Sequence, residues 1–140
     1  MPMNATRPAD MAKRAAKLSR PRLLVVDDHE HVTSLIASWL GDVGEVYTAN
    51  TSDQALALAT VIQPDVAIVD IILPRMDGFD LVARLRRHLK LTTMPVIFIT
   101  GSDRYDVGLR ARDVQAAIVL YKPLDESLLR ETVQASLAAR

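Results

Sequence analysis

The sequence predicts a doubly wound α/β fold built on a five-stranded parallel sheet, and three observations point there. Short continuous apolar runs recur along the 140 residues: Leu23–Val26, Val66–Val69, Val96–Ile99 and Ala117–Leu120. Between them lie segments whose apolar residues fall at three- and four-residue spacing, as on one face of a helix. Nearly every run ends on a polar or charged residue. Continuous apolar strands separated by helices mean a parallel sheet covered on both faces.

Taken in order, Pro21 introduces the first strand, Leu23-Leu24-Val25-Val26, which ends on Asp27-Asp28. Val32, Leu35, Ile36, Trp39 and Leu40 follow at helical spacing, and Gly41 and Gly44 stop that helix. Glu45-Val46-Tyr47-Thr48-Ala49 reads as the second strand. Thr51 or Ser52 can cap a helix whose apolar face is Ala55, Leu58, Ala59 and Ile62. The third strand is entered from Pro64-Asp65 and closes on Asp70. The loop after it, Ile71-Ile72-Leu73-Pro74-Arg75-Met76-Asp77-Gly78, leads to a helix over Phe79–Leu89. Pro95 introduces the fourth strand, which ends on Thr100. A weaker helix, roughly Asp106–Val114, precedes the fifth strand, which runs out at Lys122-Pro123. The last helix, from Asp125 to about Ala138, turns Leu128, Leu129, Val133 and Leu137 inward. Right-handed crossovers leave few ways to wind these five units, and the commonest has strand order 2-1-3-4-5. Ligands of such sheets bind outside the carboxyl ends of the strands, between strands one and three.

Length and composition agree with one domain, residues 21–140, carrying a basic extension at 1–20. Hydrophobic residues make up 49% of the chain and aromatics 4%, which suits a core of Val, Ile, Leu and Ala. Formal net charge is zero, so nothing global points to nucleic acid or to a membrane surface. The charge is uneven. Residues 1–22 carry six basic side chains against Asp10, a net of +5, leaving eleven basic and sixteen acidic residues in 23–140, a net of −5. The extension reads as a frayed or loosely docked arm, with partner or self-association as its sharper reading. There is no cysteine, no apolar stretch of membrane-spanning length and no apolar core of a signal peptide. A cytoplasmic protein is the expectation.

The chemistry follows from the strand ends. Helix capping is a poor account of Asp70, because Pro74 and Gly78 keep the next residues from being helix. In the expected order Asp27-Asp28 and Asp70 leave neighbouring strands, so three carboxylates converge. Like charges in one cleft repel unless a cation sits among them, and hard oxygen donors suit Mg²⁺. Thr100 and Lys122, beyond Asp70, add a hydroxyl and an ammonium that could cradle a phosphoryl group. Phosphoryl transfer is mostly positioning and charge neutralisation. Asp70 is the expected nucleophile, forming an aspartyl phosphate.

From Arg22 to Arg140 the chain resembles a receiver domain of the two-component response regulator family, whose fold is flavodoxin-like with five helices. The resemblance rests on the acidic pair Asp27-Asp28, the Asp-x-x-Leu-Pro-x-Met-Asp-Gly run at Asp70, Thr100 after strand four, and Lys122-Pro123 after strand five. It implies that Asp70 takes phosphate from a histidine kinase or a histidine phosphotransfer protein. It implies that Asp28, Asp70 and the backbone carbonyl of Ile72 ligate Mg²⁺, with Asp27 acting mainly through water. Lys122 would pair with the phosphoryl group, Thr100 would swing toward it, and Lys122–Pro123 would be a cis peptide. The output would be protein contact through the face of the fourth helix, fifth strand and fifth helix, with a downstream protein target, no direct nucleic acid or membrane contact, and a homodimer left open.

The chain also departs from that family. Val119 stands where an aromatic residue is usual three before the lysine, Gln115 replaces the glycine before strand five, and Leu124 follows Lys-Pro in place of Phe. Side chains two apart share a strand face, so Tyr121 lies on the side of Val119 and is expected to take part of the switching surface with Thr100. Apolar Ile72 is expected to shield the acyl phosphate from water and lengthen its life. His29 and His31, two apart, do not share a helix face, and no metal role is expected of them. Arg84, Arg86, Arg87, His88 and Lys90 read as a solvated basic face, with an acidic docking partner second. Asp77 and Gly78 read as shaping the turn into the third helix. The chemistry expected is self-catalysed phosphorylation and dephosphorylation of Asp70, without an external substrate. Two other readings remain: an adaptor that signals without phosphate, and an Mg²⁺-dependent aspartyl-phosphate phosphatase. Ile72 stands where such a phosphatase usually has its second acid.

Overall fold

The computed structural model describes residue 8 and residues 20–89, 91–101, 110–111 and 118–140. The elements run β1 (Arg22–Val26), α1 (Glu30–Leu40), β2 (Glu45–Ala49), α2 (Ser52–Ile62), β3 (Val66–Asp70), α3 (Gly78–His88), β4 (Val96–Thr100), β5 (Ile118–Tyr121) and α4 (Glu126–Ala139). All four strand pairings are parallel and the order is β2-β1-β3-β4-β5. This is the expected doubly wound sheet. Of the expected helix at 106–114 only Arg110 and Ala111, both helical, are described, and most of the extension at 1–20 lies outside the described residues.

The strands are continuously apolar because the sheet is covered twice. Leu24, Val26, Ala67, Val69, Val96 and Phe98 pack with residues of α2 and α3. Their alternating neighbours Leu23, Val25, Val66, Ile68, Ile97 and Ile99 pack with residues of α1 and α4. The period of two along each strand divides one run of sequence between two cores.

The helix ends follow local chemistry. Thr51 caps α2 by accepting from the Gln54 N–H, Asp77 caps α3 by accepting from Asp80 N–H, and Asp125 caps α4 by accepting from Leu128 N–H. At the end of α2, Gln63 adopts the left-handed conformation (φ 52°), a stop that no glycine announces. Gly44 is fixed by a close approach. A Cβ there would stand 2.4 Å from the carbonyl oxygen of Pro21, which accepts from Glu45 N–H as β2 begins.

Three expectations need correction. Leu128, expected to turn inward with Leu129, is 49% exposed, because Leu129 and Val133, four residues apart, take the buried face of α4. Arg20, assigned to the extension, is bonded into the α1–β2 turn, where its guanidinium donates to the carbonyls of Gly41 and Gly44. Arg86 is not part of a solvated face. Its Nη1 donates to the carbonyls of Leu91, Thr92 and Met94, at 2.9, 3.1 and 3.0 Å. Nη1 carries two hydrogens, so the three carbonyls of the connection into β4 share them.

Candidate functional site

Register brings the polar strand ends to one edge of the sheet. Asp27 directly follows β1, and its N–H extends the ladder to the carbonyl of Ala49. Asp70 and Thr100 are the last residues of β3 and β4, and the Lys122 N–H bonds to the carbonyl of Thr100 at 2.8 Å. The Lys122–Pro123 peptide is cis, as the resemblance implies. Asp27 and Thr100 are fully buried and Asp70 nearly so, at 3% exposure. Asp28 is exposed.

Lys122 binds the site together. Its ammonium lies 3.0 Å from Asp27 Oδ2 and 3.0 Å from Asp70 Oδ2. The other oxygen of Asp27 accepts from the His29 N–H at 2.9 Å, and the other oxygen of Asp70 accepts from the Ile72 N–H at 3.0 Å. Both carboxylates therefore have partners on each oxygen, which buried charge requires.

Their titration differs. Burial pushes the Asp27 carboxyl up, but the His29 N–H and the Lys122 ammonium together hold it below the usual range. Burial pushes Asp70 up as well. There the Lys122 and Ile72 bonds do not overcome it, and the Asp27 charge adds to the rise. For Lys122 burial works downward, yet the two carboxylates outweigh it and raise its pKa. The result is one firmly ionised carboxylate, one cation and a second carboxylate under electrostatic pressure.

The loop after Asp70 is pinned to it. Gly78 N–H bonds to the carbonyl of Ile71 at 2.8 Å, and a Cβ on Gly78 would stand 2.4 Å from the Asp70 carbonyl oxygen. Gly78 thus does more than shape a turn, since only a residue without a side chain lets α3 start against the Asp70 peptide. Ser52 Oγ donates to the Met76 carbonyl at 2.8 Å and ties the loop to α2. Arg110 ion-pairs with Asp77 at 3.2 Å and lies over the Phe79 ring, 4.3 Å from its centroid. Phe79 in turn packs on Phe98, with centroids 4.8 Å apart. Val119 pairs with Phe98 in the sheet and is half-buried against the same cluster. Tyr121, on the same face as Val119, is 52% exposed, and the Ile72 side chain is also exposed.

The contact of His29 with the acidic pair was not legible in the sequence. His29 sits at the N-cap of α1 with an extended backbone and outside the helical repeat, so a helix-face argument does not govern it. Its Nδ1 lies 3.2 Å from Asp27 Oδ1 and 3.1 Å from Asp28 Oδ1. One ligand atom from each of Asp27, Asp28 and His29 lies within 4.8 Å of the others. Two carboxylates gathered this closely form a donor set that fits a divalent cation. Two concavities, about 320 and 370 Å³, lie beside the loop at Arg75 and Met76 and are not lined by Asp70. Among the described residues no helix is long and apolar enough to cross a membrane.

Residues 23–134 match the family described as "Response regulator receiver domain". The DNA-binding dual master transcriptional regulator RpaA of Synechocystis is 32% identical over 84% of this chain, and the match spans 49% of RpaA's own length. Protein PilH of Pseudomonas aeruginosa is 31% identical over 84% of this chain and 98% of PilH. The chemotaxis protein CheY4 of Vibrio cholerae superposes with a TM-score of 0.80 at 30% identity, covering 85% of this chain and all of CheY4.

Proposed function

The chain belongs to the response regulator receiver domain family, and from that premise we propose that Asp70 is its phosphoacceptor in a two-component relay. The observation that carries this reading is the placement of Lys122 Nζ at 3.0 Å from both Asp70 and Asp27. A nucleophilic carboxylate needs a fixed cation beside it where the phosphoryl charge will arrive.

The donor is a phosphohistidine of a kinase or phosphotransfer protein. An Asp70 oxygen attacks phosphorus, the P–N bond breaks, and the imidazole leaves with its electron pair and takes up a proton. Lys122 then pairs with a phosphoryl oxygen, and the Thr100 hydroxyl turns toward the new group. Asp28, Asp70 and the Ile72 carbonyl would hold Mg²⁺, with Asp27 acting through water. When bound, the ion supplies neutralising charge to the phosphoryl oxygens. Removal of Lys122 from Asp27 and Asp70 releases the carbonyl-linked strand end at Thr100, and the change is read on the face that carries Val119 and Tyr121. Histidine-containing donors and a protein target are the partners this chemistry requires. No external substrate is turned over, and the Ile72 side chain screens the acyl phosphate from water.

Mass spectrometry of the intact chain after incubation with acetyl phosphate and Mg²⁺ tests the assignment. One added phosphoryl group is expected, absent from Asp70→Asn and absent when a chelator removes the ion. An adduct that persists in Asp70→Asn would overturn it.

A further inference from the structure

The basic run on α3 divides in two. Arg86 turns into the connection before β4, whereas Arg84 and Arg87 are exposed. Together with Arg75, from the loop after β3, they line the concavity of about 320 Å³, where Met76, Asp80 and Ala83 complete the wall. Among the described residues, arginines pair with acids at Asp42, Asp65 and Asp77, but Arg75, Arg84 and Arg87 pair with none. Three guanidiniums thus meet at one concavity with no carboxylate engaging them. The surrounding chain has the opposite sign, with eleven basic against sixteen acidic residues in 23–140.

Arg75 adds an independent observation. Its φ is 69°, in the left-handed region where a Cβ is strained and glycine is the easy occupant. Neighbouring bonds hold the loop in that shape: Met76 N–H donates to the Pro74 carbonyl at 2.7 Å, and Ser52 Oγ donates to the Met76 carbonyl at 2.8 Å. A long cationic side chain does nothing to ease such a backbone. It does bring a third guanidinium to the concavity that Arg84 and Arg87 line, and strain of this kind collects where a ligand is held.

We propose that this concavity is a docking site for an acidic helix of a partner protein. Asp80, Arg84 and Arg87 follow one another along α3 over about 10 Å, a length that suits spaced side chains better than one compact anion. Carboxylates three or four residues apart on a helix stand about 5–6 Å from each other, and Arg84 and Arg87, three apart, have the same spacing. Guanidinium forks match carboxylates in bidentate fashion. Half-buried Met76 and Ala83 offer an apolar floor to the partner's aliphatic carbons. Asp80 disfavours a carboxylate at its own end and so sets the direction in which the partner helix runs. Neither Asp70 nor Lys122 lines this surface, so docking stands apart from the phosphoacceptor assignment.

The test uses the full, unphosphorylated chain, isotope-labelled for amide NMR and titrated at low salt with a synthetic alanine-based helical peptide carrying glutamates at three- and four-residue spacing. Shifts are expected to centre on the stretch between Arg75 and Arg87. The dissociation constant is expected to rise at least about threefold in each of Arg84→Gln and Arg87→Gln. Arg75→Gly should weaken binding by a similar factor while its melting temperature holds or rises, because glycine relieves the left-handed backbone. That variant separates a lost contact from a lost fold. Unchanged affinity in all three variants, or no shift at millimolar peptide, would overturn the proposal. So would affinity lost instead in the double variant Lys13→Gln/Lys17→Gln, which would place the peptide on the basic extension. The same shifts produced by inorganic phosphate at equal concentration would make this a compact-anion site and overturn the acidic helix as its occupant.

Discussion

Asp27 and Asp70 share one lysine and yet respond oppositely to burial. The Asp27 carboxyl titrates below its unfolded value, so its ionised form favours the fold. Its stabilisation is present above the unfolded pKa and is lost as pH falls through the folded one. Asp70 titrates above its unfolded value, so its ionised form opposes the fold. That penalty is absent in acid and grows as pH rises toward and past the folded pKa. Thermal melts of the two isosteric variants at pH 7.5 should therefore move in opposite directions. Asp70→Asn should gain about 1–2 kcal/mol, because it relieves a crowded buried charge and leaves the Asp27–Lys122 pair intact. Asp27→Asn should lose a comparable amount. Both differences should shrink toward zero as the pH is lowered through the carboxylate range, and shifts of the same sign would refute the assignment of pressure to Asp70. The acidic residues themselves were legible as strand ends. Which of them would carry the strain was not, since that depends on the distance to an ammonium 95 and 52 residues away.

Two glycines illustrate how elements are set against each other. At Gly44 and at Gly78 an added Cβ would stand 2.4 Å from a backbone oxygen, that of Pro21 in one case and of Asp70 in the other. Backbone oxygens cannot rotate aside, so either alanine should cost about 1–3 kcal/mol as the helix or strand shifts. The functional consequences should differ. Gly78→Ala pushes α3 off the Asp70 peptide and should slow phosphorylation by acetyl phosphate in the folded fraction, whereas Gly44→Ala should leave that rate unchanged. Urea titration with rate measurements under native conditions resolves the two effects, and equal rates for both variants would show that the α3 start does not position Asp70. The elements themselves were readable from periodicity and caps. Their exact ends were less so: α2 stops on Gln63 in the left-handed conformation, which no glycine announces.

At the scale of the molecule, one sheet supports two cores. Every strand contributes alternate residues to both, so neither helical layer can melt while the sheet persists. Unfolding should be a single cooperative transition. Trp39, the chain's one tryptophan, reports on the layer of α1 and α4, and its fluorescence change should superpose on the far-UV circular dichroism. Separate midpoints would contradict a shared sheet. Mg²⁺ at ten times its dissociation constant should raise the stability by roughly 1.4 kcal/mol, because only the folded chain gathers the acidic donors. The sequence by itself determined the fold class, the strand order and the identity of Asp27, Asp28, Asp70, Thr100 and Lys122 as strand-end residues. Those are properties of local apolar runs and of the short list of allowed windings. Only the tertiary structure decided that Lys122 stands midway between Asp27 and Asp70, that His29 turns back onto the acidic pair, that Arg86 gathers the carbonyls before β4, and that Gly78 lies against Asp70. The reason is physical: periodicity along a chain fixes which face a residue takes, whereas contacts between residues far apart are fixed by sheet register and by the hydrogen bonds that buried groups must find.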